Sequence, residues 1–118
     1  MSGFTDHLHE VFGAFGRIET RRMFGGHGVW HQGLMIALVF GNTLYLKVDD
    51  QTRGPFEARG LGPFEDSRKG KTVALSSCRA PEEMLESPAE AVAWARLAYA
   101  AALRGVRTAG RHTHRLTR

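Results

Sequence analysis

Residues 27–48 read HGVWHQGLMIALVFGNTLYLKV, and this stretch decides the fold. Two turn signals cut it into three. Gln32-Gly33 separates His27–His31 from Leu34–Phe40, and Gly41-Asn42 separates Leu34–Phe40 from Thr43–Val48. Gly-Asn is a favoured two-residue hairpin turn because both residues tolerate positive φ. In the third segment Leu44, Leu46 and Val48 alternate with Tyr45 and Lys47, the period of a half-buried strand. The middle segment, LMIALVF, is apolar throughout, as expected of a central strand covered on both sides. The stretch therefore reads as a β-meander, and Ile18–Phe24 reads as the strand that precedes it.

Upstream, Phe4, Leu8, Val11, Phe12 and Phe15 recur at helical spacing and predict a helix over about 4–15. Ser2, Thr5 or Asp6 can cap its start, and Gly16 is placed to end it in a left-handed conformation. Downstream, Asp49-Asp50 reads as the start of a short helix over about 50–59 that buries Phe56. Gly54-Pro55 inside it leaves a loop with one helical turn as the rival reading. A short strand around Phe64, a basic turn at Arg68-Lys69-Gly70-Lys71 and a closing strand over 72–78 follow. Ser87-Pro88-Ala89-Glu90 combines a cap residue, proline at the first helical position and glutamate three after the cap, which is a capping box. The helix it opens is expected to reach about Arg104 and stop at Gly105. These elements predict an α+β fold of two layers, an antiparallel β-sheet with the N-terminal and C-terminal helices packed on it. Residues 1–104 form the domain, and 105–118 are expected to be a basic, disordered tail.

The chain has 118 residues, enough for one domain that buries roughly two-thirds of its unfolded surface. Its hydrophobic share of 42% and charged share of 24% are those of a globular protein. Its apolar runs fall short of the ~20 residues a membrane helix needs, and the N-terminus lacks the pattern of a signal peptide. The single cysteine, Cys78, suits a reducing compartment, and a cytoplasmic location is expected. The net charge of +4 is unevenly placed. Residues 104–118 hold Arg104, Arg107, Arg111, Arg115 and Arg118 and no acid, leaving eleven basic and twelve acidic side chains in residues 1–103. The body is near neutral, and the basic character belongs to an appended arm.

Several groups invite a chemical reading. Gly25-Gly26-His27-Gly28 lies between two strands and no Gly-Lys-Ser or Gly-Lys-Thr follows. A phosphate loop needs a strand before and a helix after, so a tight turn or bulge is the better account. His27 and His31 are four apart, which on a strand puts them roughly 13 Å from each other, too far to share a metal. Cys78 has no evident base or oxyanion hole beside it. Glu82, Glu83 and Glu86 suit the solvated start of a helical region. Arg21-Arg22 and Arg68-Lys69-Gly70-Lys71 read as solvated surface more readily than as a nucleic-acid site. The five tail arginines are the stronger nucleic-acid candidate, for weak, salt-sensitive, sequence-tolerant binding.

The run Arg22-Met23-Phe24-Gly25-Gly26-His27-Gly28-Val29-Trp30, then Leu44-Tyr45-Leu46-Lys47-Val48-Asp49, Phe56, Gly60 and Ala80-Pro81-Glu82-Glu83, resembles the TfoX N-terminal domain family over roughly residues 4–103. The resemblance implies a two-layer α+β fold similar to secretion-chaperone-like domains. It also implies a link to regulation of bacterial competence genes, in which TfoX/Sxy proteins act as transcriptional co-activators. Longer members carry a second C-terminal domain where this sequence has its arginine-rich tail. The family supplies no catalytic residues, and the matching Arg22, Met23, Phe24, Gly25, Gly26, Gly28, Leu44, Tyr45, Leu46 and Lys47 read as a signature of the fold. The expected function is a non-enzymatic binding module that works through a protein partner in transcriptional regulation. No catalytic, cofactor-binding or metal-binding residue is assigned and no cofactor is implied. Nucleic-acid binding through the tail and a small-ligand or enzymatic role are the alternatives, and a second copy of the chain is a further candidate partner.

Overall fold

The structure, a computed structural model, describes residues 3–23, 25–66 and 73–116; for 64–66, 73–75 and 108–116 it describes the backbone alone. The meander forms as its turns dictate. Strands β1 (Glu19–Met23), β2 (Gly26–His31), β3 (Leu34–Phe40) and β4 (Thr43–Lys47) pair in sequence, each antiparallel to the next. β5 (Pro63–Asp66) and β6 (Val73–Arg79) complete a six-stranded antiparallel sheet of order β1-β2-β3-β4-β6-β5. Gln32 and Gly33 take φ of 49° and 83° between β2 and β3, the pair of positive values that a tight hairpin turn of this kind needs. The edge strand β1 is charged, with Glu19, Arg21 and Arg22 facing solvent, which discourages pairing with another chain.

A bulge adds to the reason that β3 is apolar. Val29 pairs with Ala37, but the next residue, Trp30, pairs with Met35, so Ile36 is an extra residue in β3. Such a bulge lets two successive side chains fall on one face. Ile36, Ala37 and Val39 accordingly all join the helix-covered core, with Leu34 packed against it. Leu38 lies on the other face, paired in register with Gly28 and Tyr45. The expected cover on both sides is thus present: helices cover one face, and Leu38 is buried on the other.

The helices fill the other layer. Leu8 and Val11 of α1 (Gly3–Val11), Phe56 of α2 (Arg53–Ala58), Met84 of α3 (Glu83–Glu86) and Ala91, Ala95, Ala98 and Ala102 of α4 (Pro88–Leu116) join one core with Val29, Val39, Leu44, Leu46 and Cys78 of the sheet. Leu46 and Phe56 are fully buried, worth about 2–3 kcal/mol each in transfer free energy. The alanines let α4 lie close against β3 and β4, which it crosses.

α1 ends at Val11, four residues before the expected end. The chain continues in turns closed by Gly13 N–H to the Glu10 carbonyl and by Phe15 and Gly16 N–H to the Phe12 carbonyl. Gly13 weakens the helix there, and the tighter turns bring Phe15 against His31 and Tyr99. Gly16 does close the segment, but for room: a Cβ there would stand 2.8 Å from Cε1 of His31. α2 is shorter than expected and keeps Gly54-Pro55 in its first turn, where a proline removes no helical hydrogen bond. At α4, Ser87 Oγ accepts the Glu90 N–H at 3.3 Å, as a capping box requires. The reciprocal bond is replaced: Ser87 N–H goes to the Glu83 carbonyl, and the Glu90 carboxylate accepts from Trp94 Nε1 at 3.1 Å.

The largest departure is at the C-terminus. α4 does not stop at Gly105 but continues to Leu116, 29 residues in all. Gly105 and Gly110 each cost the helix about 1 kcal/mol relative to alanine. No proline follows them, and Arg107, Arg111 and Arg115 are good helix formers placed where the helix dipole favours cations. The basic turn at 68–71 and Arg118 lie outside the described residues.

Candidate functional site

The arginines assigned to a free tail divide into two groups. Arg104 is committed to the fold: its Nε donates to Asp49 Oδ2 at 2.6 Å and its Nη2 to Oδ1 at 3.0 Å. Asp49 lies just past Val48 at the end of β4, and its Oδ1 also accepts the backbone N–H groups of Gln51 and Thr52 and the Thr52 hydroxyl. The Thr52 Oγ in turn accepts the Asp49 N–H at 3.0 Å. The Arg104 guanidinium, seconded by these hydrogen bonds, holds the Asp49 carboxyl down to about 2. Arg104 thus clamps α4 to the β4–α2 connection, a role that sets it apart from the other four arginines of its group.

Beyond the clamp the helix leaves the core. Ala101 and Ala102 are buried, whereas Gly105, Val106 and Arg107 are exposed. Arg107, Arg111 and Arg115 follow at intervals of four in continuous helix, so they share one side of it and rise about 6 Å from each to the next. Their number and sign are plain in the chain. Their alignment was hidden by the expectation of a disordered tail.

The signature residues split across the sheet. Leu44 and Leu46 are core. Tyr45 and Lys47, alternating with them, lie on the opposite face with Met23, Gly26, Gly28 and Leu38. Two glycines of this face are required by close approach. A Cβ on Gly26 would come within 2.2 Å of the Val39 carbonyl oxygen, and one on Gly28 within 2.7 Å of Met23 Sδ. Gly25, at φ 81°, makes the turn between β1 and β2. Arg22 is exposed on β1, and Phe24 lies outside the described residues. The Arg21 guanidinium lies 5.0 Å from the Trp30 ring. The expected turn or bulge role of the glycine cluster is therefore half right: Gly25 serves the turn, while Gly26 and Gly28 bring side chains down onto bare backbone.

The remaining candidates stand apart from one another. His31 Nδ1 donates to the Arg17 carbonyl at 2.8 Å, and its ring is held between Phe15 and Tyr99, beside a cleft of about 490 Å³. His27 is four residues away on the same strand. Cys78 is buried, and burial pushes its thiol up, which keeps it protonated. Glu83 pairs with Arg59, whose guanidinium also lies 5.6 Å from the Trp94 ring. These two residues, with Asn42, Thr43, Arg79 and Glu82, border a second cleft of about 460 Å³. Among the described residues no group of three or more His, Cys, Asp or Glu is placed to hold a metal ion, and no helix is long and apolar enough to cross a membrane.

Compared with known families, the chain matches the TfoX N-terminal domain over residues 10–102. No curated protein matches it.

Proposed function

The chain belongs to the TfoX N-terminal domain family, and on that premise we propose that it is a non-enzymatic module that acts in transcriptional regulation of competence-type genes by binding a protein partner. The observation that carries this reading is the family match over residues 10–102, which spans the whole sheet, α2, α3 and the packed first half of α4. The division of the signature supports it. Leu44 and Leu46 explain themselves by packing, but Tyr45 and Lys47 sit half-buried on the face turned away from the helices. A partner that covers this face gives them a role beyond the core.

A photo-crosslinking residue at Lys47 in the cells of origin tests the reading. The expected result is a crosslink to a component of the transcription machinery, together with reduced competence-type transcripts in a Tyr45→Ala, Lys47→Glu strain. Absence of any crosslinked transcription protein, with transcripts unchanged in a deletion strain, would sink it.

A further inference from the structure

We propose that residues 107–116 are a nucleic-acid-binding arm, a rigid helical extension that lays Arg107, Arg111 and Arg115 along the phosphate backbone of duplex DNA. This inference does not rest on the protein-partner reading of the sheet face.

The helix continues through Leu116, so the three arginines form a stripe instead of a random cloud. Their interval of about 6 Å is close to twice the ~3.4 Å axial spacing of phosphates on one strand. No acid stands between residues 104 and 118, and the body is near neutral, so the cationic field is concentrated on the arm. The bond of Arg104 to Asp49 anchors its base. A stripe held in helix and fixed to the body loses less freedom on binding than a disordered tail of equal charge.

The other side of the arm selects among polyanions. It carries Gly105, Val106, Ala109, Thr113 and Leu116. A helix that lies in a membrane surface needs a broad apolar face with residues such as Trp, Phe and Leu. A helix that seats in a protein groove needs apolar anchors at i, i+3, i+4 and i+7. Val106 and Leu116, ten residues apart, provide neither. What remains is a charge pattern, which suits phosphates and predicts sequence-tolerant binding.

The test is fluorescence anisotropy of a short labelled duplex of arbitrary sequence, titrated with the full chain. Three phosphate contacts predict an affinity that falls roughly 40-fold between about 50 and 200 mM salt, with equal binding to unrelated sequences. The variant Arg107→Ala, Arg111→Ala, Arg115→Ala should bind at least about tenfold more weakly at the lower salt and lose most of the salt dependence. A second variant keeps the charge but moves it around the helix: Arg107→Ala, Ala109→Arg, Arg111→Thr, Thr113→Arg. It should bind several-fold more weakly than the parent. Three results would overturn the proposal: no binding by the parent chain at low salt, undiminished binding by either variant, or binding to anionic phosphatidylserine vesicles as tight as to DNA.

Discussion

The two halves of α4 are one continuous helix built on opposite logic. Residues 88–104 bury Ala91, Ala95, Ala98, Ala101 and Ala102 against the sheet and the other helices. Residues 105–116 begin with Gly105, Val106 and Arg107 in solvent and carry an arginine at every fourth position from 107 to 115. In the first half tertiary contact fixes the helix, as for most helices in proteins. In the second half, which starts with three exposed residues, helix propensity, the dipole and continuity with an existing helix favour the helix. The Asp49–Arg104 pair marks the border. The lesson is that a loss of hydrophobic periodicity announces the end of the core, not the end of the helix.

The sharpest way to break the contrast is to place a charge in the packed half. Ala98→Glu puts a carboxylate where the residue is fully buried, and it should cost about 3 kcal/mol or more, seen as loss of a cooperative thermal transition. The border comes next. Asp49→Ala removes the acceptor of Arg104 and of two backbone N–H groups and should cost about 1–2 kcal/mol by denaturant titration at neutral pH. That cost should itself depend on pH. The folded carboxyl titrates near 2 against an ordinary 3.8. Because the folded value is the lower, the contribution is whole above the ordinary value and fades as pH falls from about 4 toward 2. The gap between wild type and variant should therefore narrow from about pH 4 to below pH 2, and a gap unchanged across that range would refute the assignment.

The smallest effects belong to the outer half. Arg107→Ala should change global stability by less than about 0.5 kcal/mol, a direct contrast with Ala98→Glu. Gly110→Pro should lower the far-ultraviolet helical signal, since proline removes a helical bond, yet leave the thermal midpoint within about 1 °C, as expected if the core ends at Arg104. A large shift in the midpoint would mean that the outer half is packed after all.

Most of the fold was legible because it is written in local rules. The bounds of β3 fall where the turns at Gln32-Gly33 and Gly41-Asn42 place them, and the Ser87 cap starts α4 at Pro88. Less of the candidate site was legible. Nothing near Arg104 in sequence distinguishes it from Arg107, because its partner is 55 residues away. The reason for Gly28 lies with Met23 across β1 and Met35 across β3. The bulge at Ile36 could not be read from an unbroken apolar run, since such a run has no phase to lose.

The strand periods, the turns, the helix start, the family signature and the concentration of charge at the C-terminus are all set by the order of the residues. Each of these rests on the φ/ψ and side-chain preferences of neighbouring residues, which a linear chain displays directly. It took the folded chain to show which face each signature residue takes, which arginine is a clamp and which three align, and that α4 outruns its core. Those outcomes depend on contacts between distant residues and on the free-energy difference between continuing a helix and ending it, which is small enough for context to set.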